Sequence, residues 1–203
     1  MTSASNNFHL PSGILFYVMG PSGSGKDTLL SYLRSHRPTG VIFAHRYITR
    51  GADSSGEVHI PVDEEEFLER RAHGLFCLSW QAHDLAYAIG LEVEIWLQRG
   101  LHVVMNGSRA AFAQAQASFA RCQGILIQAD PDLVRKRLRA RGREDAAQVA
   151  KRLERAAAFA VQDQGIITLA NNGPPEQAGQ TLVEIIEDRI ASVRMGQKRV
   201  FTT

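Results

Sequence analysis

The segment VMGPSGSGKDTLL (18–30) sets Gly20, four further residues and then Gly25-Lys26 between an apolar run and a stretch of helical period. That is the spacing of a loop that wraps phosphate. Its glycines let backbone N–H groups turn inward around anionic oxygens, and the helix that follows aims its positive end at the same anion. Gly20, Pro21, Ser22, Gly23, Ser24, Gly25 and Lys26 are therefore candidate nucleotide contacts, with Lys26 reaching the β- and γ-phosphates of ATP. Asp27 breaks the pattern, because such loops carry Ser or Thr there and use the hydroxyl to touch magnesium. A carboxylate can hold Mg²⁺ directly or through its waters, and Thr28 offers a hydroxyl one residue later, so Asp27 and Thr28 are the candidate metal contacts. Asp27 can equally serve the helix start, where acids are favourable, and one carboxylate can do both jobs.

A second concentration of chemistry is cationic. Of 23 basic residues only four are Lys, and Arg135, Arg137, Arg139, Arg141, Arg143, Arg152 and Arg155 cluster around Gly142. Arginine presents a planar fork of donors suited to phosphate. A cluster of this kind around a Gly break, just after an apolar run, reads as a lid closing over transferring phosphates; the alternative is a solvated basic helix face.

These residues need a scaffold. Short apolar runs predict strands at 13–20, 40–48, 75–80, 101–107, 124–130 and 165–171. Helical periods predict helices at 25–36, 63–74, 91–100, 108–122, 131–142, 144–160 and 176–193, with Gly74 and Gly100 as stops and Pro131 in a first turn. The stretch 49–59 reads as a polar loop, and 194–203 as a loose tail. Strands alternating with helices imply an α/β fold whose parallel sheet is covered on both faces. A length of 203 residues suits one domain over 1–203.

Composition bounds the rest. An apolar fraction of 44%, a charged fraction of 22% and a net charge of +2 are ordinary for a globular chain and give no argument for nucleic acid or membrane partners. No window approaches the run of about 18 apolar residues that a membrane span needs. The first residues lack a basic start and an apolar run, so a cytoplasmic, thiol-reduced protein is expected. Cys77 and Cys122 have no framework or metal spacing and read as buried small hydrophobes. The oligomeric state is not set by the sequence.

GPSGSGK, TR after the second strand, GE and EEF beyond it, and RLRARG…KRL together resemble a guanylate kinase over roughly residues 13–190. The resemblance implies a P-loop nucleoside-monophosphate-kinase-like, three-layer fold, with an acceptor-binding insertion at about 46–90 and a lid at about 135–156. Residues 1–12 and 195–203 would be tails. The departures are specific. Arg46, Tyr47 and Ile48 stand where purine-holding Ser or Thr are expected, the second phosphate-binding Arg is missing from TRGADSSGE, LSWQAH lacks the guanine-reading Glu, and the acidic strand end has become VVMNGSR. Sites built on hydrogen bonds discriminate strongly, so GMP is disfavoured.

GPSGSGKD, AHRYITR, LSWQAH, NGSR, RGRE and NNG are together similar to the ribose 1,5-bisphosphate phosphokinases of phosphonate degradation, which make 5-phosphoribosyl 1-diphosphate from ribose 1,5-bisphosphate and ATP. A sugar bisphosphate offers two phosphates and no base, which suits Arg46 and Arg50, with Arg109 third, as acceptor-phosphate contacts. Asn106 and Ser108 are candidates for the ribose hydroxyls, although Ser108 can also be a turn cap. By resemblance, Arg141 and Arg152, with Arg143 less firmly placed, act on the transferring phosphoryl group, and Asn171 and Asn172 fall in the loop that holds adenine. Trp80 and Tyr87 read as pocket wall or core, with Tyr87 on the acceptor side. His83 and Asp84 read as site lining rather than a proton-transfer pair, because a phosphate oxyanion needs no base. Two other readings stay open: a guanylate or other nucleotide kinase, and a catalytically inactive binding module of the same fold.

Overall fold

In β1 (Leu15–Met19) every residue is buried, with Leu15, Tyr17 and Met19 packing to one side and Phe16 and Val18 to the other. A strand apolar on both faces belongs in the middle of a covered parallel sheet, and that is its place. The computed structural model describes residues 13–51, 58–82, 84–140 and 165–200. With β2 (Val41–Phe43), β7 (His102–Asn106), β8 (Cys122–Gln128) and β9 (Ile167–Ala170), β1 forms a parallel sheet of order β2-β7-β1-β8-β9. One face packs on α1 (Lys26–Ser35) and α6 (Pro175–Val200), through Leu29, Leu33, Leu182 and Ile186. The other packs on α3 (Glu92–Gln98) and α4 (Phe112–Ser118), through Val93, Leu97, Phe112 and Ala115. Burying a side chain of this size contributes about 1.5–3 kcal/mol.

A second sheet is inserted between β2 and α3. It holds β3 (Arg46–Ile48), β4 (His59–Pro61), β5 (Phe76–Ala82) and β6 (Leu85–Gly90) in the order β4-β3-β6-β5, with antiparallel β3–β6 and β5–β6 pairs. The helix α2 (Glu64–Ala72) covers it through Phe67, and Leu78 and Ile89 join the core of the main sheet. The α/β fold class, a parallel sheet covered by helices on both faces, holds as read.

Several elements differ from expectation. The strand expected at 40–48 is two: after Phe43 the chain leaves β7 and re-pairs from Arg46 with β6 in the other sheet. An apolar run signals a strand but not its partner. β4 and β6 were not expected; β4 is three residues ending at Pro61, and β6 follows a two-residue hairpin turn with Asp84 at φ 59, without the Gly that marks such turns. The helix expected at 108–122 is shorter, because a 3₁₀ turn (Arg109–Ala111) precedes α4 and β8 already starts at Cys122. The C-terminal stretch is no loose tail through 200, since α6 continues to Val200 across Gly196. The helix expected at 144–160 lies outside the described residues.

Both cysteines are half-buried rather than fully buried, and burial pushes each thiol up to about 12. Among the described residues no helix is long and apolar enough to cross a membrane.

Candidate active site

The loops after β1, β7 and β9 all leave the C-terminal edge of the parallel sheet, where open α/β sheets bind their ligands. The first runs from Gly20 to Gly25 and delivers Lys26 at the first turn of α1. Gly25 sits at φ 85, and a Cβ on it would run into the Asn171 side-chain amide. The loop therefore needs glycine there on two counts, conformation and close approach.

Its back is held from two directions. The carbonyl of Ser24 accepts a hydrogen bond from Asn171 Nδ2 at 2.7 Å and from Arg137 Nη1 at 3.3 Å. Arg137 Nη2 also donates to the Asn171 carbonyl at 3.2 Å, so the arginine ties α5 (Pro131–Ala140) to both loops. Asn171 lies beside the phosphate loop and is 1% exposed. Asn172 instead accepts from the Asp130 N–H at 2.8 Å and fixes the turn after β8. Two buried atoms, Ser24 Oγ and Asn171 Oδ1, have no hydrogen-bond partner among the described residues. Left unpaired, such atoms cost about 1–3 kcal/mol each; a polar ligand in this loop fits them.

At the mouth of the loop three side chains meet. Lys26 Nζ donates to Asn106 Oδ1 at 2.6 Å and lies 3.1 Å from Asp27 Oδ1. Asn106 Nδ2 donates to the same Asp27 oxygen at 3.3 Å. Asn106 was expected to read a sugar hydroxyl; the structure engages both ends of its amide at the phosphate end. The Asp27 side chain is about half exposed, and Thr28 is exposed one position further round α1. Among the described residues no three His, Cys, Asp or Glu side chains cluster as a metal site. A single carboxylate beside a phosphate loop nevertheless suits magnesium, which keeps several waters and leans on substrate phosphates.

The acceptor candidates line the junction with the second sheet. Arg46 opens β3 with its guanidinium 5.1 Å from the centre of the Tyr87 ring, and Tyr87 is stacked on Trp80 at 5.6 Å and 6°. Tyr17 links this group to the strand-end turn. Its hydroxyl donates to the Ser108 carbonyl at 2.7 Å; burial raises its pKa, offset in part by that hydrogen bond and by the charge of Arg46. Ser108 caps the 3₁₀ turn, its Oγ accepting from the Ala110 N–H at 3.2 Å. Arg109 is half-buried, and burial lowers its pKa from the ordinary value. Arg50 follows β3, its carbonyl 3.3 Å from His59 Nε2. Arg141, Arg143, Arg152 and His83 lie outside the described residues, while Asp84 forms the β5–β6 turn.

Arg137 is the residue whose part the sequence did not reveal; it was visible only as one of a basic cluster.

A glycine-wrapped loop with Lys26 at a helix start, set at the C-terminal edge of a parallel sheet beside an inserted second sheet, defines a P-loop kinase of the guanylate-kinase fold type. A family described as "AAA domain" matches residues 17–158. The guanylate kinase of Anaplasma phagocytophilum superposes with a TM-score of 0.63 over 88% of this chain and 87% of that one, at 17% identity, which speaks to the fold. The ribose 1,5-bisphosphate phosphokinase PhnN of Chromobacterium violaceum is 49% identical over 172 residues, 85% of this chain and 92% of that protein. The PhnN protein of Thiobacillus denitrificans is 43% identical over 187 residues, 91% of this chain and 98% of that one. This chain belongs to the ribose 1,5-bisphosphate phosphokinase family.

Proposed function

We propose that this chain transfers the γ-phosphoryl group of ATP to the 1-phosphate of ribose 1,5-bisphosphate, giving 5-phosphoribosyl 1-diphosphate and ADP. The observation that carries the reading is family membership at 49% identity over 85% of the chain. The site agrees with it: where a base would need a hydrogen-bonding reader, Arg46 stands over Tyr87, which is stacked on Trp80.

In this reading the loop from Gly20 to Gly25 cradles the donor phosphates and Lys26 leaves Asn106 to follow the γ-phosphoryl group. Arg46 and Arg50, with Arg109, hold the acceptor phosphates, and Ser108 faces the ribose. Arg141 and Arg152, assisted by Arg143, close over the transferring group, while Asn171 and Asn172 border the adenine. Asp27 is the side chain that would hold magnesium, which when bound neutralises charge on the donor phosphates. The attacking atom is a phosphate oxygen already ionised at neutral pH, so catalysis is positioning and charge stabilisation, without a general base.

Phosphorus NMR of the product tests this directly: a diphosphate on C1 of ribose is expected. Comparable turnover of GMP in a coupled ADP-release assay would establish the nucleotide-kinase reading instead. Failure to bind ATP at millimolar concentration would favour the inactive module. Lys26→Ala is expected to abolish turnover while leaving the fold intact.

A further inference from the structure

We propose that the carboxylate serving magnesium in this chain sits at the start of α1, at Asp27, rather than at the strand end, and that Asn106 is the positioning residue that orients it. The inference rests on the phosphotransfer reading above. P-loop enzymes hold Mg²⁺ with a hydroxyl directly after the loop lysine and an acid supplied from elsewhere in the site. The strand beside the loop strand is well placed to supply it. Here β7 lies parallel to β1 with Val18 opposite Asn106, so Asn106 ends the strand directly beside the loop. The first position carries Asp27 and this strand end carries an amide; together they retain one carboxylate.

The geometry shows why both must differ at once. Asn106 Nδ2 is 3.3 Å from Asp27 Oδ1, so an aspartate at 106 would put two carboxylates in contact and raise the pKa of one of them. The amide removes that conflict and is oriented from both sides. Its oxygen accepts from Lys26 at 2.6 Å and its nitrogen donates to Asp27. A flipped amide would set NH₂ against the ammonium and oxygen against the carboxylate. Asn106 is 8% exposed, whereas the Asp27 side chain is 49% exposed. The buried member therefore orients, and the exposed member is open to a hydrated ion.

The test is calorimetric titration of the full-length protein with ATP, at zero and at saturating Mg²⁺, for wild type, Asp27→Asn, Asn106→Ala, Asp27→Ser and Asp27→Ser/Asn106→Asp. Thermal melts without ligand check the fold of each. Asp27→Asn keeps the shape and removes the charge. It is expected to bind metal-free ATP at least as tightly as wild type while losing about tenfold or more of the Mg²⁺-dependent gain. Asn106→Ala is expected to lose part of that gain, and the double exchange to recover much of what Asp27→Ser loses. An unchanged Mg²⁺-dependent gain in Asp27→Asn overturns the inference, as does a double exchange no better than Asp27→Ser. Absence of ATP binding by wild type under both conditions overturns the phosphotransfer reading and this inference with it.

Discussion

The guanidinium of Arg46 stands over the ring of Tyr87, and Tyr87 in turn lies flat against Trp80. The two rings come from neighbouring strands, directly opposite in the β5–β6 register, so they form a platform rather than a chance contact. Such a platform favours the cation by about 0.5–2 kcal/mol and holds its fork in place. Tyr87→Leu is therefore expected to raise KM for the sugar bisphosphate by about 3- to 30-fold with KM for ATP unmoved. Tyr87→Phe, which keeps the ring face, should stay near wild type. In an Arg46→Ser background, Tyr87→Leu should add little; full additivity in steady-state kinetics would show that Tyr87 does not act through Arg46.

Asn171 ties the loop after β9 to the back of the phosphate loop through the Ser24 carbonyl. Asn171→Asp replaces a donor with a carboxylate facing that oxygen. We expect it to cost about 1–3 kcal/mol, read as a fall in Tm of about 2–4 °C per kcal/mol. ATP affinity should fall with it; an unchanged ATP titration would make Asn171 a structural brace only.

Gly25 and Gly40 both have φ above 80°, but a Cβ at Gly25 meets Asn171 and Arg137, whereas nothing lies within 4 Å of one at Gly40. Gly40→Ala should cost only backbone strain, about 1–2 kcal/mol, and leave ATP binding alone. Gly25→Ala carries the same strain plus a collision within the site. Chemical denaturation and ATP titration of the pair should separate them, with ATP binding lost in Gly25→Ala only.

His102, buried at the start of β7, accepts the Ile14 N–H on Nδ1 at 3.2 Å. Burial lowers its pKa, helped by the charges of Arg194 and Arg121. A group whose folded pKa lies below its unfolded value of about 6.5 binds its proton first in the unfolded chain. Its contribution is thus complete above that value and is lost as pH falls toward the folded pKa. Stability is expected to fall as the pH drops below about 6.5, and His102→Gln should flatten that drop in urea melts at each pH.

The sequence by itself determined what depends on neighbours along the chain. A strand, a glycine turn, Lys26 and a helix start form the phosphate loop out of local conformation and local N–H groups, so the motif could be read directly. Strand and helix periods likewise marked the main sheet. Tertiary structure decided what lies between distant positions. Lys26 and Asn106 are 80 residues apart, Ser24 and Asn171 147, and no local rule pairs them. The run 40–48 was legible as extended chain, but its division between two sheets depended on β7 ending its partnership at Phe43 and on β6 taking up Arg46. That division carries Arg46 to the face of Tyr87. Periodicity reports which side of a strand is apolar; only packing decides which strand lies beside it, and so which side chains share a site.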